Sequence, residues 1–293
     1  MQITFGDLRE LRILSKLQCN SVKPIIRWAG GKSRIVNELL NLAPNQYCRY
    51  FEPMLGSGAL FFGLEPRLAY LSDSNPELVT FYECLKFRCE ELIDALTAVG
   101  SDRHTFLALR RQEPTDQLAR ACRFAVLTRL CWNGLYRVNK DGKFNTPYGG
   151  RGPSILYDQD KLRLASHLLS TVEIQCHDYK CIFDDLREGD FLFLDPPYHK
   201  GARDGLGFNR YTDAFFTERD HRLLAEFVRQ ASAGGVQIMI TTANDDRLTK
   251  LFGPGFTRTD LVTPCLIGKA SARRLSSESV IINYSIKASA QKQ

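Results

Sequence analysis

The chain has 293 residues, 44% of them hydrophobic and 25% charged, with a formal net charge of +6. That length buries a full α/β core and leaves about 100 residues for a second module, and no stretch approaches the roughly 20 consecutive apolar residues of a membrane span. Nine cysteines include no Cys-x-x-Cys and five histidines are scattered, so reduced thiols and no metal are expected. The opening "MQITFGDLRELRILSKLQ" interrupts its apolar residues with charge too often for a signal peptide, which points to a soluble cytoplasmic protein with an N-terminal extension over 1–22.

In chain order, "RWAGGKS" (27–33) first suggests a phosphate-binding loop. Such a loop needs a glycine where this chain has Ile26, and Trp28 puts a large ring where small residues belong, so ATP hydrolysis is disfavoured. "QYCRYFEP" (46–53) reads as a strand entering the glycine turn "MLGSGALFF" (54–62), "LAYLSD" (68–73) as a second strand, and 75–99 as one helix with Pro76 in its first turn. This is the opening of a doubly wound, mostly parallel α/β sheet. Residues 102–135 then carry Arg-rich helical periodicity, 135–149 predict two short strands about a Lys-Asp-Gly turn, and a further helix is expected near 158–169. Strand signals resume at 171–176, 190–195 and 236–242, and 277–286 closes the chain. The expected organisation is a catalytic domain over 23–101 and 171–293, with a mainly helical insert over 102–170 carrying a hairpin. Lys and Arg cluster at 23–34, 103–111, 120–151 and 269–274, a distribution compatible with nucleic-acid binding.

Two constellations carry chemistry. Gly56 and Gly58 lie in a turn leaving a strand, and Asp73 ends the next strand, where a carboxylate can accept both ribose hydroxyls of a nucleoside. A dinucleotide fingerprint would place glycine at position 61, which is Phe61, so a nucleoside without a pyrophosphate fits better than NAD. The second is "FLFLDPPYHK" (191–200), an apolar strand ending in Asp195-Pro196-Pro197-Tyr198. The prolines hold the chain extended and leave the Pro196 carbonyl to accept a hydrogen bond from outside. Asp195 and that carbonyl can each take one N–H of an exocyclic amine while Tyr198 stacks on the base. A base stacked there must leave its duplex.

With "RWAGGK" (27–32), "FEPMLGSGALFF" (51–62), "LSDSNPELV" (71–79), "WNGLYRVNKDGKFNTPYG" (132–149), "DPPY" (195–198) and "RRLSSESVIINY" (273–284) in this order, the chain resembles the Dam-type DNA adenine-N6 methyltransferases over about 24–286. The resemblance implies a class I methyltransferase fold with an inserted target-recognition module. It implies S-adenosylmethionine as methyl donor, S-adenosylhomocysteine as product, no metal, and double-stranded DNA as substrate. Asp195, Pro196 and Tyr198 are then catalytic, and Trp28, Lys32, Glu52, Gly56, Gly58, Asp73 and Asp178 border the cofactor, Lys32 near its carboxylate.

On the DNA side the resemblance places Arg137 on one guanine, Arg27 near the other, and Leu135 and Pro147 against a thymine methyl. Trp132 or Asn133 fills the space left by the extruded adenine, and Lys140 and Lys143 meet phosphates. The implied site is GATC or a longer palindrome with a GAT core. Relatives with Asn-Pro-Pro-Tyr or Ser-Pro-Pro-Tyr at this place modify protein glutamine, RNA or cytosine amino groups, against which Asp195 favours adenine in DNA, and a DNA-binding protein without turnover is the alternative from another class. A cognate restriction enzyme or a defence system is the partner such an enzyme would have.

Overall fold

The computed structural model describes residues 24–150, 152–197, 216–243, 250–264 and 275–286. Seven strands among them form one sheet: β1 (Tyr50–Glu52), β2 (Ala69–Asp73), β3 (Glu173–Cys176), β4 (Phe191–Leu194), β5 (Gln237–Ala243), β6 (Thr257–Pro264) and β7 (Leu275–Ile282), in the order β3-β2-β1-β4-β5-β7-β6. Strands β1 to β5 are mutually parallel, and β7 runs antiparallel between β5 and β6. The order reverses at β1, which lies between β2 and β4. Ligands of open α/β sheets bind in the crevice at that point, beyond the carboxyl ends of the strands.

Alternate residues of each strand feed two cores. Tyr50, Ala69, Leu71 and Phe191 pack with the helices that follow β1 and β2, whereas Phe51, Leu192, Leu194 and Ile240 pack with the helix before β5. The helices are α1 (Val36–Leu42), α2 (Ala59–Leu64), α3 (Pro76–Phe87), α4 (Cys89–Thr97), α5 (Arg103–Arg111), α6 (Gln117–Leu130), α7 (Gln159–Leu169) and α8 (Glu218–Ala233). Most starts are legible as caps. Asn75 accepts from the N–H groups of Glu77 and Leu78 with Pro76 at the first position, and Asp102, Asp116 and Asp158 cap α5, α6 and α7; each such cap is worth about 1 kcal/mol.

The helix expected over 75–99 is two. Arg88 leaves helical geometry at φ −135 and ψ 41, its N–H closes α3 on the Cys84 carbonyl, and its guanidinium grips Glu91 in the first turn of α4. The periodicity of 102–135 is likewise divided into α5 and α6, with Pro114 in the break. In the hairpin, ladder pairing shrinks to isolated bridges, Cys131 with Tyr148 and Val138 with Phe144. Main-chain bonds run from the Asn139 N–H to the Lys143 carbonyl and from the Asn145 N–H to the Arg137 carbonyl, and the Asn139 side chain closes the turn by accepting the N–H groups of Asp141 and Lys143. Helices α1 and α8 and strand β6 are additional to the expected elements.

The 102–170 segment does not hang from a linker. Helix α6 lies against α3, with Phe124 and Phe81 rings 6.1 Å apart, and Leu127, Leu162 and Leu169 enter the same core as Leu78 and Leu85. The hairpin therefore projects from a base that is part of the catalytic core.

Candidate active site and nucleic-acid interface

The strand ends and Lys32 bring five ionisable side chains, Asp195, Lys32, Glu278, Glu52 and Asp73, to one edge of the sheet. Apolar β4 delivers Asp195 to the carboxyl edge of the sheet, beside β5. There the Thr241 hydroxyl donates to Asp195 Oδ1 at 2.6 Å, and Lys32 Nζ meets Oδ2 at 2.7 Å. Lys32 is 5% exposed, donates to the Gly30 carbonyl at 2.7 Å, and lies 3.8 Å from Glu278 of β7, whose antiparallel course returns it to this edge. Asp195 thus keeps a solvent-facing side while two donors fix its carboxylate plane.

Glu52, at the end of β1, is buried and accepts from the Tyr50 hydroxyl at 2.7 Å. Burial pushes its carboxyl up to about 8, opposed by the Tyr50 hydrogen bond and reinforced by the nearby charge of Asp195. Asp73 is also buried; desolvation raises it to about 6, against the backbone N–H groups it accepts. Those come from Gly56 at 3.0 Å and Asn75 at 2.9 Å, one to each oxygen. Asp73 therefore pins the glycine turn to the end of β2.

The turn itself needs its glycines. Gly56 sits at φ +48, and a Cβ there would stand 2.9 Å from the Trp28 ring. Trp28 in turn stacks on Tyr136 of the hairpin, with centroids 6.0 Å apart, and tilts against Phe124 of α6. One aromatic ring thus touches both the Gly56 turn and the base of the hairpin. Arg27 also meets the hairpin base through its backbone, because Gly134, at φ +66, packs so closely that a Cβ would fall 2.9 Å from the Arg27 carbonyl.

On the hairpin, Trp132 is 44% exposed, its N–H bound to the Pro147 carbonyl, and Asn133 adopts a positive φ beside it. Arg27, Arg137, Lys140, Lys143 and Pro147 are exposed, and Leu135 is half-buried. Arg137 donates through Nε to Asn145 Oδ1 at 2.7 Å, and Lys143 pairs with Glu113 at 2.8 Å. Asp178 caps a short 3-10 turn just past β3, its exposed side chain accepting from the Lys180 N–H and lying 3.7 Å from the Lys180 ammonium. Tyr198 lies outside the described residues.

The structure thus joins Trp28, Gly56 and Asp73 in one group, Lys32 with Asp195 in another, and Arg27 with the 132–134 turn in a third. Lys32 is engaged by the Asp195 carboxylate, a partner different from the cofactor carboxylate expected of it. Thr241 and Glu278 escaped the sequence reading; the available signal was a pair of threonines ending the apolar run of β5.

The sheet order, with an acid-Pro-Pro strand end beside the switch point, defines a class I methyltransferase. A family profile for the D12 class N6 adenine-specific DNA methyltransferases matches residues 28–259, and the chain belongs to that family. It is 30% identical over 284 residues to the Type II methyltransferase M1.LlaDCHI of Lactococcus lactis subsp. cremoris, covering 94% of this chain and 99% of that protein. To the Type II methyltransferase M.MjaIII of Methanocaldococcus jannaschii it is 31% identical, covering 90% and 99%. To a DNA adenine methylase of Haemophilus influenzae it is 28% identical, covering 76% and 80%. Membership implies S-adenosylmethionine as methyl donor and DNA as substrate. Among the described residues no helix is long and apolar enough to cross a membrane, and no group of His, Cys, Asp or Glu could hold a metal ion.

Proposed function

We propose that the chain methylates the N6 amine of an adenine flipped out of double-stranded DNA, within GATC or a longer palindrome with a GAT core. The observation that carries this reading is Asp195, fixed at the end of β4 by Thr241 and Lys32 beside the Gly56 turn and Asp73. The donor set fits S-adenosylmethionine: Asp73 offers lone pairs to a ribose diol, Asp178 an exposed carboxylate to an adenine amine, and the acidic crevice suits a cation. When bound, S-adenosylmethionine supplies a methyl group activated by its sulfonium.

This chain's residues position the acceptor. An amine entering the crevice donates one N–H to Asp195 and one to the Pro196 carbonyl, which directs the nitrogen lone pair away from the ring; Tyr198 supplies the stacking face. Because Thr241 and Lys32 already hold Asp195, little reorganisation remains for the reaction itself. Lys32 can reach a cofactor carboxylate only by sharing its ammonium with Asp195. Trp132 or Asn133 occupies the vacated stack, Leu135 and Pro147 meet a thymine methyl, Arg27 lies toward one guanine and Arg137 reads the other. Lys140 and Lys143 neutralise phosphates. S-adenosylhomocysteine is the product and no metal takes part. A cytoplasmic location follows from the substrate, and the Type II designation of two relatives supports pairing with a restriction enzyme.

The test is transfer from methyl-labelled S-adenosylmethionine to a duplex bearing one GATC, followed by digestion to nucleosides. Label in N6-methyldeoxyadenosine is expected; label in cytosine, in protein or in nothing would overturn the reading.

A further inference from the structure

The geometry points to Asn145 as a positioning residue for base readout: it holds Arg137 by Nε so that both terminal nitrogens of the guanidinium face outward. This rests on the reading of Arg137 as a guanine contact. Arg137 and Asn145 stand opposite one another across the hairpin, joined by the Asn145 N–H to the Arg137 carbonyl at 2.9 Å and by Arg137 Nε to Asn145 Oδ1 at 2.7 Å. One main-chain bond and one side-chain bond therefore fix both ends of the pair. Arginine has five N–H donors in a rigid plane, so using Nε internally leaves the four on its terminal nitrogens for a partner. Among the described residues neither terminal nitrogen has one.

The support below Asn145 is itself fixed. Arg110 of α5 donates to the Phe144 carbonyl at 3.3 Å and to the Asn145 carbonyl at 3.2 Å. The Phe144 side chain is buried against Tyr136 and Phe106, and fully buried Thr146 donates to the Leu135 carbonyl at 2.7 Å. The chain of contacts runs from a helix of the core to the plane of an exposed guanidinium. Bidentate pairing to guanine O6 and N7 needs that plane aligned, and fixing it beforehand spares the rotamer entropy otherwise lost on binding. The acceptor's chemistry also matters. A neutral amide oxygen takes Nε alone, whereas a carboxylate would offer a second oxygen, engage the fork and cancel its charge.

The experiment compares kcat/KM on the cognate duplex and on duplexes with each guanine replaced, for wild type, Asn145→Ala, Arg137→Ala and the double variant. Asn145→Ala is expected to reduce discrimination at one guanine by about three- to tenfold, a fraction of what a full bidentate pair gives, and to add nothing in the Arg137→Ala background. If Arg137→Ala lowers discrimination while Asn145→Ala does not, or if the two losses multiply, the positioning role is wrong and the guanine reading stands. If Arg137→Ala leaves every discrimination unchanged, the guanine reading itself fails. A DNA-free measurement guards against a damaged fold: the ¹⁵N resonance of Arg137 Nε should show restricted motion in wild type and lose it in Asn145→Ala, and equal mobility in both would overturn the proposal.

Discussion

Two lysines make ion pairs of nearly equal length in very different surroundings. Lys32 lies 2.7 Å from Asp195 and is 5% exposed, while Lys143 lies 2.8 Å from Glu113 and is 60% exposed. The first pair sits where the effective dielectric is low, so its partners cannot be separated without leaving a buried charge, and it serves to fix geometry. The second is a solvent-screened pair of the kind worth about 0–1 kcal/mol. Its loss costs little, and a phosphate can take the place of Glu113. The strand ends are preorganised and the exposed Lys143 pair is negotiable, a division that suits an enzyme whose chemistry is fixed and whose substrate must be gripped.

The largest effect should follow from removing the centre of the buried group. Asp195→Ala is expected to lower single-turnover methyl transfer by ~10²–10⁴-fold, the usual contribution of a positioned acid–base group, while calorimetric affinity for S-adenosylmethionine changes only several-fold. A near-normal rate would move the chemistry away from Asp195.

Glu52 sharpens the buried side of the contrast through pH. Its folded-state carboxyl is raised to about 8 from an ordinary value of 4.5, so between those values the folded protein holds a proton that the unfolded chain has released. Stability should therefore fall as pH rises through this window, by a few kcal/mol (roughly) at its upper end. Glu52→Gln keeps an acceptor for the Tyr50 hydroxyl and should flatten that dependence in urea unfolding; an equally steep variant would mean that Glu52 is ionised throughout.

Asp73→Ala removes the acceptor of the Gly56 and Asn75 N–H groups as well as the proposed ribose contact. It should weaken S-adenosylmethionine binding by ~1.5–3 kcal/mol, typical of hydrogen bonds to a charged group, with DNA affinity in the absence of cofactor scarcely altered. Unchanged cofactor affinity would confine Asp73 to shaping the turn.

The smallest effect belongs to the screened side. Replacing Lys140 and Lys143 together by alanine should reduce the slope of log affinity against log salt by about one to two units, through loss of counterion release. An unaltered slope would take both lysines out of the interface, leaving Lys143 a partner of Glu113 alone.

Legibility in the sequence followed the same division. Asp195 and Asp73 could be read because each ends an apolar strand, and Gly56 because a turn leaving β1 needs a positive φ. Lys32 was legible as a residue of the crevice, yet its tie to Asp195, Thr241 and Glu278 depends on β4, β5 and β7 meeting at one edge, which no local pattern encodes. The break at Arg88 lacks the glycine or proline that would announce it. Helix α8 did carry a signal, the Thr217 and Asp220 capping box, in which each residue's side chain accepts the other's N–H. Sequence periodicity overestimated the hairpin's strands, because pairing there stops at isolated bridges and the Asn139 side chain closes the turn by accepting the Asp141 and Lys143 N–H groups.

Both regions are tested together by reading modified bases directly in DNA from a methylation-free host that expresses the chain. The account predicts N6-methyladenine confined to GATC or to a longer palindrome containing GAT. Methylcytosine, or no modification at all, would contradict the chemistry assigned to Asp195, and methyladenine in a motif lacking GAT would contradict the reading assigned to the hairpin.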